Sequence, residues 1–193
     1  MFRKLTFFGI SLALILFSFS VTAQEVTEIS TNNSASTTIV LGISEVSLLK
    51  TSVELINLQL NQQDAGLSVQ TSTSDSTARL LISSVISTSL PRTLTAKITA
   101  GTPPVGSHLE LSVLQPNANF AGSTGTFTIS TALDGTDRPI ITDIESCYSG
   151  TGASDGYPLR FLYALDANQS NYGSLRATTG TQIVVTFTLT AAQ

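Results

Sequence analysis

The sequence predicts an all-β fold, a single antiparallel β-sandwich of Ig-like or pilin-like type, on three observations. Downstream of the first 23 residues the chain is rich in threonine, serine, valine, isoleucine and leucine, the vocabulary of strands. Apolar and polar residues alternate along repeated short runs, which is the period of extended backbone. Between those runs stand clusters of proline, glycine and aspartate that reverse the chain.

Residues 1–23 read as a cleaved signal peptide. Arg3 and Lys4 make a positive start, Leu5 to Phe19 is almost wholly apolar, and Val21-Thr22-Ala23 offers small residues for cleavage. The apolar run of about 15 residues is shorter than the roughly 20 that cross a bilayer, and no charged stop-transfer cluster follows it. No membrane insertion of the mature chain is therefore expected. Gln24 follows the cleavage point, and the lack of a cysteine there argues against a lipoprotein anchor. Residues 24–37 are expected to form a flexible N-terminal leader and residues 38–193 the sandwich domain. The expected destination is the periplasm, the cell surface or the extracellular space.

Within the domain the clearest strand is Gln182 to Thr190, where Ile183, Val185, Phe187 and Leu189 share one face. Arg92 to Thr99 sets Leu94, Ala96 and Ile98 against Thr93, Thr95, Lys97 and Thr99. Ser107 to Val113 sets Leu109, Leu111 and Val113 against His108, Glu110 and Ser112, and Pro158 to Leu165 places Leu159, Phe161, Tyr163 and Leu165 together. Shorter candidates are Ser36 to Ile43, Glu45 to Leu49, Glu54 to Leu60, Leu67 to Thr71, Arg79 to Ile86, Thr126 to Thr131 and Arg138 to Ile144. Only Leu48 to Leu60 has any helical alternative. Thr102-Pro103-Pro104-Val105-Gly106 predicts a tight turn joining the Arg92 and Ser107 strands as a hairpin. Gln70 to Thr77 reads as a loop, as does the glycine-rich stretch Ser149 to Gly156.

Composition narrows the partners. The formal charge is −4, and removal of Arg3 and Lys4 with the signal takes it to −6. Such an excess repels phosphate backbones at long range, so nucleic acid is excluded as an expected partner. Cys147 is the only cysteine, so no intrachain disulfide can form and stability must come from packing. Its expected state is a small buried hydrophobe.

Chemistry has few places to reside. His108 is the sole histidine and points, by alternation, with Glu110 and Ser112 away from the apolar face. Gly122-Ser123-Thr124-Gly125 is one residue short of a nucleophile elbow and reads as a turn. With one histidine and one cysteine a closed zinc site is not expected, and Asp134 and Asp137 match no calcium loop spacing. Asp143 and Glu145, two apart, would share a strand face in the manner of paired carboxylates, yet the expected role is a solvated strand end. No catalytic residue, cofactor or metal is assigned. For ligands, the flat faces of Tyr148, Tyr157, Tyr163 and Tyr172 are the candidates. Tyr148 and Tyr157 flank the glycine-rich loop and are the expected ligand-binding pair. Asn32-Asn33-Ser34 and Asn168-Gln169-Ser170 fit N-glycosylation acceptors, and Asp75-Ser76-Thr77 fits a short O-glycosylation motif.

One stretch carries a resemblance: Ile144-Glu145-Ser146-Cys147-Tyr148-Ser149-Gly150-Thr151-Gly152, then Gly156, Leu159 and Tyr163, then Tyr172-Gly173-Ser174-Leu175 and the Ile183 to Leu189 strand. With these the chain resembles small exported β-sandwich proteins of Bacteroidota and, more loosely, spore-coat U and fimbrial-subunit domains. The similarity spans roughly Thr38 to Thr190 and implies the fold; it transfers no site residues. A disulfide common in the fimbrial and spore-coat relatives has no counterpart here. The expected function is that of a non-enzymatic secreted or surface structural protein, a subunit of a fimbria-like or extracellular assembly that pairs with itself or other surface proteins by strand addition. The alternative is a carbohydrate or surface-ligand binding module.

Overall fold

The computed structural model describes residues 34–87, 90–166, 169–178 and 180–191. The signal region, Asn32 and Asn168 lie outside them. The chain divides into Met1–Leu41 and Gly42–Gln193. Of the first unit, residues 34–41 carry no regular secondary structure and are exposed.

Among the described residues the regular secondary structure of the second unit is almost entirely strand. The strands are β1 (Val46–Thr51), β2 (Ser72–Asp75), β3 (Arg79–Val85), β4 (Arg92–Ala100), β5 (Ser107–Val113), β6 (Ala121–Gly122), β7 (Thr126–Phe127), β8 (Thr131–Ala132), β9 (Arg138–Ile144), β10 (Cys147–Tyr148), β11 (Tyr157–Leu165) and β12 (Val184–Ala191). A 3-10 turn, Gln169–Ser174, is the one helical element among the described residues. All ladders are antiparallel. An eight-stranded sheet runs β6-β10-β3-β11-β5-β8, with β1 also on β3 and β2 also on β11; a four-stranded sheet runs β12-β4-β9-β7.

Alternation decides what each strand buries. Leu80 and Ile82 of β3, Leu109, Leu111 and Val113 of β5, and Leu159 and Phe161 of β11 come from the larger sheet. They join Leu94, Ala96 and Ile98 of β4 and Ile140, Ile141 and Ile144 of β9 in one apolar cluster. Each fully buried aliphatic side chain contributes roughly 1.5–3 kcal/mol. In β9 the consecutive Ile140 and Ile141 are both buried, against strict alternation, where register shifts interrupt its pairing with β4. Ile183, Val185, Phe187 and Leu189 pack on the cluster but remain half-buried, as suits a strand at a sheet edge.

Several expectations change. β4 and β5 are not a hairpin: β4 gives its edges to β12 and β9, and β5 gives its edges to β11 and β8. The Thr102–Gly106 turn therefore carries the chain between sheets, because pairing partners are chosen by packing across the core. Leu48 to Leu60 is no helix, and Glu54 to Leu60 is no strand; after β1 this stretch is irregular, with Val53, Ile56 and Leu58 set on the core. Ser36 to Ile43 and Leu67 to Thr71 have strand-forming residues but no ladder among the described residues. Ser72–Asp75, expected within a loop, pairs with Phe161–Ala164 as β2. Thr126 to Thr131 splits into β7 and β8, which serve different sheets.

A charged group of β4 enters the core. Arg92 shares the inward face of β4 with Leu94 and Ala96 and is buried. Its guanidinium pairs with Glu45, just ahead of β1, whose carboxylate also accepts from Ser87 Oγ at 3.1 Å. A residue of the four-stranded sheet is thus tied to the start of an edge strand of the other. Removing the carboxylate leaves a buried charge without its counter-ion. Glu45→Ala is expected to lower unfolding stability by on the order of 2 kcal/mol. Urea denaturation will read this as a lower midpoint at unchanged slope; an unchanged midpoint would refute it.

Candidate functional site

Tyr148 and Tyr157 bracket the glycine-rich loop, and the structure treats them oppositely. β10 lies between β3 and β6, with Tyr148 opposite Ser83 and Ala121. Its ring is 59% exposed and its hydroxyl makes no hydrogen bond among the described residues. Tyr157 begins β11 on the inward face and is 0% exposed. Phe120 packs on its ring at a centroid distance of 4.9 Å and Phe127 meets it edge-on at 5.8 Å. Its hydroxyl donates to the Thr124 carbonyl at 3.1 Å. Burial, and then Cys147, push its phenol upward. Tyr157 therefore supports the loop from beneath. The expectation that both tyrosines stand at the surface holds for Tyr148 alone, because alternation turned Tyr157 toward the core.

The loop between them is held by side chains. Ser149 is buried and extends the β3 ladder: its N–H donates to Ile82 O at 3.0 Å, while its hydroxyl accepts from Ile82 N–H at 3.0 Å. Asp155, 5% exposed, is the organising group. Oδ1 accepts from Asn117 Nδ2 at 3.0 Å and Asn119 Nδ2 at 2.9 Å, and Oδ2 accepts from Gly152 N–H at 2.7 Å. These donors, Asn117 first, hold the carboxyl below its ordinary value. Gly150 has a φ of +81°, and a Cβ there would lie 2.3 Å from Asp155 Oδ2, so only glycine fits. Both asparagine amides thus point their N–H groups at the carboxylate, an arrangement that fastens a loop.

Several other titratable groups are likewise engaged. His108 is half-buried between two carboxylates, with Nδ1 2.9 Å from Asp166 and Nε2 3.4 Å from Glu110, which also accepts from Ser130 Oγ at 2.9 Å. Asp134 is bound by Arg138 at 2.6 Å and by the Thr136 N–H, and is held at about 2; Asp137 pairs with Lys97 at 2.9 Å. Asp143 and Glu145 do not share a strand face: Asp143 is left-handed at φ 59° and β9 ends at Ile144. Ser123 Oγ donates to Asp143 O and accepts from Gly125 N–H, closing a turn. Among the described residues no group of three or more His, Cys, Asp and Glu side chains is placed to hold a metal ion. Tyr163 accepts from Ser107 Oγ and Tyr172 from the Val69 N–H. Cys147 is buried, and desolvation pushes its thiol up to about 11.

Shallow cavities of about 340 and 350 Å³ lie away from both site tyrosines, one between Ile98–Pro103 and Leu133–Gly135 and one between Thr102–Val105 and the Ser174–Thr181 stretch. Asn117, Asn119 and Asp155 had no signature beyond polar residues in turn-rich segments. Comparison with family models, with curated proteins and with solved structures finds no match.

Because the folded Asp155 carboxyl lies below its ordinary value of 3.8, its contribution is complete above that value and is lost as pH falls through the folded one. The Gly152 amide, corrected for intrinsic rate, is expected to exchange slowly at neutral pH and faster only at acid pH below that ordinary value, and in Asp155→Asn to exchange fast throughout. A flat profile in the unmodified protein would contradict the loop assignment. Cys147 is expected to resist a disulfide reagent at pH 8 in the native state and to react fully in denaturant; rapid native labelling would place the thiol at the surface.

Proposed function

We propose that the mature chain is a non-enzymatic exported structural protein, its two sheets packed as a β-sandwich, that forms part of a fimbria-like or extracellular assembly by strand addition. The observation that carries this reading is the edge strand β12. Among the described residues it pairs with β4 alone. Exposed edges are ordinarily blunted by charge or proline. Val184–Ala191 has neither, whereas β1, which pairs with β3 in the other sheet, carries Lys50.

A matching donor lies in the same chain. Ile39, Val40, Leu41 and Ile43 are 74–90% exposed, and residues 29–44 carry no charge. Apolar side chains so exposed favour burial against a partner. Added beside β12 of a second copy, this segment would satisfy main-chain groups on both sides while its alternate side chains cover the half-buried Val185, Phe187 and Leu189. Such a contact is heterologous, so it propagates head to tail. Neither surface brings a charge to the contact of two acidic molecules.

Light scattering of the chain from Gln24 onward is expected to show a mass that grows with concentration, and deletion of residues 34–44 is expected to leave a folded monomer. A monomer at every concentration, indifferent to the deletion, would sink the proposal. The second reading, a ligand-binding module, is favoured by the exposed ring of Tyr148.

A further inference from the structure

The eight-stranded sheet has an outer face, and register places its residues. Leu80, Ile82 and Ser84 of β3 are buried, so Arg79, Leu81, Ser83 and Val85 face outward. Lys50 of β1 stands opposite Leu81, Pro158 of β11 stands opposite Arg79, and Arg160 lies two residues along β11. β3 and β11 are antiparallel, so the steps from Leu81 to Arg79 and from Pro158 to Arg160 run the same way. Lys50, Arg79 and Arg160 therefore fall on one diagonal, with neighbouring Cα atoms roughly 8 Å apart from strand spacing and rise.

Among the described residues these cations have no carboxylate within ion-pair distance. Lys50 and Arg160, both exposed, make no hydrogen bond or ion pair among the described residues, and the Arg79 guanidinium donates only to the Ser76 and Ala78 carbonyls. By contrast Arg92, Lys97 and Arg138 each carry a carboxylate. On the same face Glu110 of β5 stands one step beyond Arg160, opposite Leu162, and its carboxylate and that of Asp166 are gathered around His108. Tyr148 and Leu48 flank Ser83 on the same face, the ring of one and the aliphatic chain of the other exposed.

We propose that this face binds an acidic polysaccharide, with Lys50, Arg79 and Arg160 meeting its carboxylates or sulfates and Tyr148 stacking on a sugar ring. The inference rests on the ligand-binding reading of Tyr148 and is independent of assembly. An acidic chain has no general attraction for anions, so capture must come from a local row of uncompensated charge. Neither shallow cavity includes these residues, which suits an extended polymer with repeated charge over a small anion. The exposed aromatic face beside serine hydroxyls suits a pyranose over a peptide.

The chain from Gln24 onward is passed over surfaces bearing polygalacturonate, heparin, neutral dextran or poly-glutamate, at low and high salt. Retention on polygalacturonate or heparin is expected, lost at high salt, weakened about tenfold by Lys50→Ala with Arg160→Ala, weakened by Tyr148→Ala and unchanged by Lys97→Ala. Circular dichroism confirms that each variant folds. Retention on dextran that depends on Tyr148 but ignores the cations would overturn the acidic class and leave the ligand-binding reading standing. Preference for poly-glutamate would overturn the polysaccharide assignment, and no retention on any surface would overturn both.

Discussion

The domain depends on the burial of alternate side chains from two sheets in one apolar core. A single cysteine permits no internal cross-link, so nothing else compensates the entropy of ordering so long a chain. The inward buried residues of β3, β4, β5, β9 and β11 are accordingly apolar, apart from Ser84 and Arg92. Local departures arise from the same constraint. β9 slips register against β4 so that both Ile140 and Ile141 reach the interior, and Asp143 takes a left-handed backbone near its end, a conformation that aspartate tolerates better than most residues.

Several polar groups that enter this interior are matched, while Ser84 Oγ and Arg92 Nε find no hydrogen-bond partner among the described residues. Arg92 finds Glu45, Asp155 finds two asparagine amides and a backbone N–H, and Ser149 continues the hydrogen bonding of β3. Apart from the local Asp155–Gly152 bond, each match joins segments far apart in sequence, so these residues act as fasteners between loops and sheets. The same economy explains why, among the described residues, no group of three or more His, Cys, Asp and Glu side chains is placed to hold a metal ion. Asp134, Asp137 and His108 are already occupied by ion pairs, and what stays unengaged is an edge strand and one sheet face.

Much of the fold was legible. The strands around Arg92, Ser107, Pro158 and Gln182 lie where alternation put them, and Leu94, Leu111 and Leu159 face inward as their spacing required. Two-residue strands such as β6 and β10 were not legible, since a period cannot be read from two residues. Ser72–Asp75 was missed because its polar composition mimics a loop, and its pairing to β11 supplies the order. Of the candidate site, Tyr148 was found at the surface, whereas Tyr157 was displaced to the core by its own place in the β11 alternation.

Sequence alone determined that the chain forms antiparallel strands, which side of each long strand is apolar, and that no disulfide holds them, because these follow from backbone geometry and residue chemistry within a few positions. Only the tertiary structure decided that β4 leaves β5 for β12 and β9, that the buried Arg92 guanidinium meets Glu45, and that Lys50, Arg79 and Arg160 align across three strands. Those outcomes depend on which strands become neighbours, and neighbours are selected by packing the whole core at once.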